Sequence, residues 1–157
     1  DTSATASLYS HESWGIWAVR HDGPGQSLLF AAGMFRVGPW FFPAIAGTPS
    51  GTNPFRGSAV WEGDVLAFEL DPNAPPVRGD ATLTVDFGGG AVDVDFTGLT
   101  RGHADIAWRG LALVDGAFRH RDRSGSIDGA FYGNRHQAAA GQFERNALHG
   151  VFGALRR

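Results

Sequence analysis

Four times in the second half of this chain a phenylalanine follows a glycine by two residues: Gly116–Phe118, Gly129–Phe131, Gly141–Phe143 and Gly150–Phe152. Residues i and i+2 of a strand share a face, so each pair sets an empty position beside a large ring. Successive glycines are 13, 12 and 9 residues apart, one strand plus one turn each time. A strongly curved sheet uses such gaps, because glycine permits the bend and a neighbouring ring can lie across it. The repeat therefore predicts short antiparallel strands wound into a small barrel, and its role is structural. A fifth pair, Gly33–Phe35, stands apart upstream.

The hydrophobic pattern points the same way. ATLTVDFGGGAVDVDF reads as a hairpin in which Leu83, Val85 and Phe87 alternate with Thr82, Thr84 and Asp86. Three glycines turn, and Val92, Val94 and Phe96 then alternate with Asp93 and Asp95. GSAVWEGDVLAFEL reads as two strands about Glu62–Gly63–Asp64; residues 71–76 form a loop, since their three prolines bring no N–H. Ile106 and Trp108 mark a further strand. From Gly57 onward, about eight or nine strands follow at the turn spacing of barrels and sandwiches. The expected fold is all-β, an antiparallel up-and-down barrel of about eight strands over residues 55–157. Residues 1–54 form a less regular extension packing on it, within a single domain. The segment 134–140, NRHQAAA, suits one helical turn. His11–His21 suits a strand with Trp14 and Ile16 on one face and Trp17 on the other.

Composition excludes several functions. With 16 acidic against 13 basic residues the net charge is −3, which offers no footprint for nucleic acid. Without cysteine there is neither a disulfide nor a thiolate site, a usage that suits an exported bacterial protein. The N-terminus carries no signal-peptide pattern, so any such peptide has been removed or omitted. The apolar run at 28–47 holds Arg36 and two prolines, which a lone membrane-spanning helix tolerates poorly. A membrane-spanning barrel is disfavoured too, as the strands lack a consistent outward apolar band.

Leu83–Gly88, Gly129–Gly133, Ala138–Phe143 and Gly150–Ala154 carry a more specific signal. Their order and spacing resemble the C-terminal barrel of the transferrin-binding-protein-B-like family, with its LTVDFG hairpin, G.FYG segment, AG.F strand and terminal GVFGA. TPSGTNPFRGSAVWEG, upstream, resembles the segment leading into that barrel. The likeness covers residues 47–157 well and 11–46 loosely. Asn134, Gln137, Leu155 and Arg156 depart from the family pattern at turn and surface positions. The resemblance implies an eight-stranded barrel exported by a Gram-negative bacterium, surface-anchored as a lipoprotein, or secreted. It implies binding of host proteins or haem rather than enzymatic activity. The large domain that precedes the barrel in the receptor is not expected in so short a chain.

No nucleophile elbow, phosphate loop or dinucleotide fingerprint occurs, so no catalytic residue is assigned. Asp86, Asp93 and Asp95 alternate with apolar residues and read as a solvated outer face. Asp122, Ser124, Ser126 and Asp128 are spaced like a calcium loop, but Ile127 stands where glycine is required. The six histidines show no metal-ligand spacing. A lone axial haem ligand needs no spacing, which leaves His11, His21 and His136 as candidates and haem as the one cofactor considered.

The remaining signal is aromatic density near the N-terminus. Trp14, Trp17, Met34, Trp40, Phe41 and Phe42 are the candidate ligand- or partner-binding residues, since aromatic and methionine side chains dominate such surfaces. GPWFFP sets three rings in a row between prolines, and is expected to be a loop displaying one or two of them. Three readings remain open. The chain is a barrel binding a host or cell-surface protein or a small apolar ligand; a haemophore-like carrier; or a structural barrel supporting a neighbouring domain or secretion.

Overall fold

The computed structural model describes residues 5–22, 24–38, 40–54, 58–71, 73–86, 88 and 90–157. Phe87, expected in the central hairpin, lies outside them. The regular elements among the described residues are all strands. The first four are β1 (Thr5–His11), β2 (Gly15–Asp22), β3 (Gly25–Val37) and β4 (Trp40–Gly47), hydrogen-bonded in that order as an antiparallel meander. Then come β5 (Ser58–Glu69), β6 (Val77–Asp86), β7 (Ala91–Thr97) and β8 (Ile106–Ala112), followed by β9 (Ala117–Asp122), β10 (Gly125–Tyr132), β11 (Ala138–Arg145) and β12 (Leu148–Arg156).

These eight lie in the order β8-β7-β6-β5-β12-β11-β10-β9, so the last strand pairs with the first. The sheet curls until β8 and β9 come together at a seam, and the chain passes from one to the other by a tight turn closed between Val114 and Ala117. One buried cluster draws side chains from all eight strands. This is the expected all-β, nearly closed antiparallel barrel.

Register shows how the glycine–phenylalanine repeat works. Gly129 lies opposite Phe118 of β9, Gly141 opposite Phe152 of β12, and Gly150 opposite Phe143 of β11. A methyl group at Gly141 would come within 2.6 Å of the Phe152 ring, and one at Gly150 within 2.8 Å of Phe143. Each ring therefore covers a glycine of the neighbouring strand, the usual way aromatics support a bent sheet. Together with Trp61, Phe96, Trp108 and Phe131 these rings fill the interior, so the barrel encloses a packed core. Gly33–Phe35 is different: it lies in β3, outside the barrel.

The N-terminal quarter is more regular than its sequence pattern suggests. One face of its sheet is apolar at Ile16, Ala18, Phe30, Ala32 and Met34, and packs on Leu66, Phe68, Tyr132, Ala138, Ala140 and Val151 of the barrel wall. β12 is thus buried on both faces: Phe152 and Ala154 join the barrel core, and Val151 the outer cluster. Between them Gly153 lets the sheets approach, for a methyl group there would lie 2.5 Å from the Phe30 ring.

Two local expectations change. Residues 58–69 form one strand, not two, because Gly63 is no turn. It lies opposite Ala154, with its Cα hydrogens against the Gly153 carbonyl. No helical turn forms at 134–140 either. Ala138–Ala140 open β11, where small side chains are buried between the barrel core and the outer sheet, and packing overrides helix propensity.

Candidate functional site

Residues paired directly across an antiparallel ladder point to the same face. In the β3–β4 hairpin Phe35 pairs with Phe42 and Val37 with Trp40, so these four share the face turned away from the barrel. All are more than half exposed, Trp40 at 66 % and Phe42 at 53 %. GPWFFP is therefore mainly an edge strand rather than a loop. Gly38 turns the hairpin at a φ of 61°, and alternation splits the three rings. Phe41 faces the other way and stacks on Phe68 of the barrel at 4.8 Å between centroids. Met34 also faces the barrel and is buried among the packing residues.

The same outer face continues across β1 and β2. Tyr9 pairs with Trp17, and their rings stack at 5.7 Å; Trp17 stacks on Trp14 at 5.0 Å and 6°, and Trp14 on His11 at 5.8 Å. Trp14 was expected to share a face with Ile16. It lies instead in the turn before β2, which frees it to fold back over Trp17. The result is a column of four rings beside a cluster of apolar side chains, on a sheet whose opposite face is committed to the barrel. Exposed apolar surface on this scale marks an interaction site. Phe35, Val37 and Tyr9 belong to it and were not among the sequence candidates. Reading Gly38 as the centre of a hairpin would have supplied Phe35 and Val37 at once.

The candidate histidines sit in three separate places, each held by a protein partner. His11 and His21 lie at opposite ends of the β1–β2 ladder. Nδ1 of His11 accepts the Ser13 N–H at 3.2 Å, which places the neutral ring's proton on Nε2 and leaves no lone pair there for a metal. His21 Nε2 is 2.9 Å from Ser7 Oγ. His136 is buried in the loop before β11, where Nε2 donates to the Thr52 carbonyl at 2.9 Å and its own carbonyl accepts the Trp61 indole N–H at 2.8 Å.

Burial first, and the Arg156 guanidinium second, push the His136 pKa below the ordinary histidine value, against the Thr52 hydrogen bond. Below about pH 6.5 the unfolded chain then binds a proton that the folded chain resists, so stability falls on acidification through that range. We expect the melting temperature to drop between pH 7 and pH 5. His136→Asn, which tolerates the local φ of 55°, should flatten part of that slope in melts followed by circular dichroism. An unchanged slope would remove His136 as its source.

The carboxylates of the outer wall serve local structure. Asp95 pairs with Arg109 at 2.6 Å, Asp93 accepts the Gly110 N–H, and Asp86 that of Gly88. Asp122 accepts from Ser124 and His120, which hold its pKa well below the carboxylate range. It fixes the β9–β10 turn.

No family model matches the chain. The Neisserial heparin binding antigen of Neisseria meningitidis serogroup B is 31 % identical over 122 residues, which is 71 % of this chain and 24 % of that protein. HpuA of Kingella denitrificans, solved in complex with human haemoglobin, superposes with a TM-score of 0.64 at 18 % identity, over 82 % of this chain and 54 % of its own. Transferrin binding protein B of N. meningitidis serogroup B superposes with a TM-score of 0.59 at 16 % identity, over 100 % of this chain and 36 % of its own. The chain has the transferrin-binding-protein-B-like fold. This transferrin-binding-protein-B-like chain spans about a quarter of the curated relatives it matches. The superposition on transferrin binding protein B takes in the four-stranded sheet as well as the barrel, so the sheet is part of the shared fold.

Proposed function

We propose that this chain is a non-enzymatic, exported binding module of a Gram-negative bacterium, at the cell surface or released from it. It holds a host protein on the outer aromatic face of the β1–β4 sheet. The observation that carries this reading is the joint exposure of Phe35, Val37, Trp40 and Phe42 on one face, beside the Tyr9–Trp17–Trp14 column. Rigid aromatic side chains of this kind supply most of the energy at protein interfaces. The filled barrel interior favours a protein partner over a small cargo held inside. Relatives of the same fold named for haemoglobin and transferrin support the choice of probes.

The test passes human haemoglobin and serum transferrin, one at a time, over the immobilised chain. One of them should bind, and Phe35→Ser/Trp40→Ser should weaken it by about 30-fold or more while leaving the fold intact by circular dichroism. Undiminished binding to the variant, or binding of neither protein, overturns the reading.

A further inference from the structure

One row of side chains crosses all four strands of the outer sheet: Tyr9 pairs with Trp17, Trp17 with Ala31, and Ala31 with Ala46. All four point away from the barrel, as directly paired residues share a face. The row therefore runs large, large, small, small. Tyr9 and Trp17 stack into a ridge over β1 and β2, which Trp14 extends. Beside the ridge the floor over β3 and β4 stays low, since the next row adds only Gly33 and Ala44 there. We propose that this face pairs with the same face of a second copy of the chain, about a two-fold axis running along the strands between β2 and β3.

That axis turns each row end for end onto its twin. It seats Tyr9 of one copy on Ala46 of the other and Trp17 on Ala31, so each ridge fills the other's low floor, the large-on-small fit that packed sheets require. Charge permits the contact. A two-fold interface sets one patch against itself, so a formal charge in it needs its counter-charge on the same patch. This patch has none to match. The described charged side chains of β1–β4 turn to the barrel side: Arg20 bonds Asn134 at 3.4 Å, and Arg36 lies over the Phe41 ring. Glu12 sits beyond the ladder, in the β1–β2 turn. The outer wall of β6 and β7 shows what this chain sets against water, with Thr82 beside Asp95 and Thr84 beside Asp93. The patch is four strands wide and seven residues long at β1, about 19 by 23 Å, so two copies cover at least about 900 Å². That is the size of a reversible contact. It rests on the reading of this sheet as a binding surface, yet leaves the hairpin tip open to a host protein. Val37 and Trp40 lie beyond Gly15–Gly33, the last β2–β3 pair, and so overhang the β1–β2 turn of the other copy.

Sedimentation velocity of the full chain alone is the test. A monomer–dimer equilibrium half-complete at about 10 μM is expected, unchanged when salt rises from about 0.1 to 0.5 M, because no charge pair crosses the contact. Tyr9→Arg and Ala46→Glu, both at exposed positions, should each weaken the dimer at least about tenfold with the circular dichroism spectrum unaltered. An equimolar mixture of those two variants should dimerise again, because the axis brings the two altered positions together with opposite charges. Trp40→Ser should dimerise like the unaltered chain. A monomer up to about 100 μM, dissociation by salt, indifference to Tyr9→Arg or Ala46→Glu, no recovery in the mixture, or loss of the dimer in Trp40→Ser overturns the proposal. Haemoglobin or transferrin binding by a chain that stays monomeric sinks the dimer and leaves the proposed function standing; a dimer that holds neither protein does the reverse.

Discussion

Phe152→Ala is expected to destabilise the whole barrel by about 3–5 kcal/mol, the cost of deleting a fully buried phenylalanine whose site cannot collapse. Phe152 has no exposed surface and faces Phe96 at 5.3 Å and Phe118 at 6.3 Å between centroids. The ring also covers Gly129 and Gly141, which have no side chains to move into the space it leaves. At 157 residues, that loss corresponds to a fall in melting temperature of roughly 10 °C or more. Gly129→Ala should cost less, since the atoms nearest its added methyl group belong to the rings of Phe118 and Phe152, and rings can shift. Urea unfolding followed by circular dichroism measures both. A loss below about 1 kcal/mol for Phe152→Ala would mean the rings are interchangeable filler rather than matched to the glycines.

That matching separates what the sequence discloses from what it withholds. The order of the Gly-x-Phe pairs announces curved strands, and the alternation of Leu83, Val85, Val92 and Val94 locates a hairpin that the structure contains as β6 and β7. Neither reveals which glycine lies under which ring, because register is set by strands far apart in the chain. Gly63 looked like a turn for the same reason. Its neighbour is Ala154, 91 residues away, and nothing local shows that the close approach is to another strand. The aromatic quarter was legible as a cluster but not as a surface. Trp40, Phe41 and Phe42 are consecutive, and only the strand state of β4 splits them into two exposed rings and one that packs on the barrel. Met34 went to the packing face by the same alternation.

Phe30→Ala should have an effect as large but different in kind. Phe30 is fully buried between the two sheets, 5.7 Å from the Tyr132 ring and directly over Gly153. Its removal forfeits about 3–5 kcal/mol of packing, yet none of that comes from the barrel core. No strand of the outer sheet is laddered to a strand of the barrel among the described residues, so side-chain packing is what holds the two together. The outer sheet should therefore open on its own. Amide exchange in β1–β4 should accelerate by about 100-fold or more, while β6 and β7 keep their protection. Mass-spectrometric hydrogen exchange distinguishes this from global destabilisation, and an equal acceleration in both sheets would show that they unfold as one unit. The outcome bears on binding as well. Tyr9, Trp17, Phe35 and Trp40 share one face only while the ladders of β1–β4 hold, so a variant at Phe30 that lets this sheet open should lose partner affinity without altering any exposed residue.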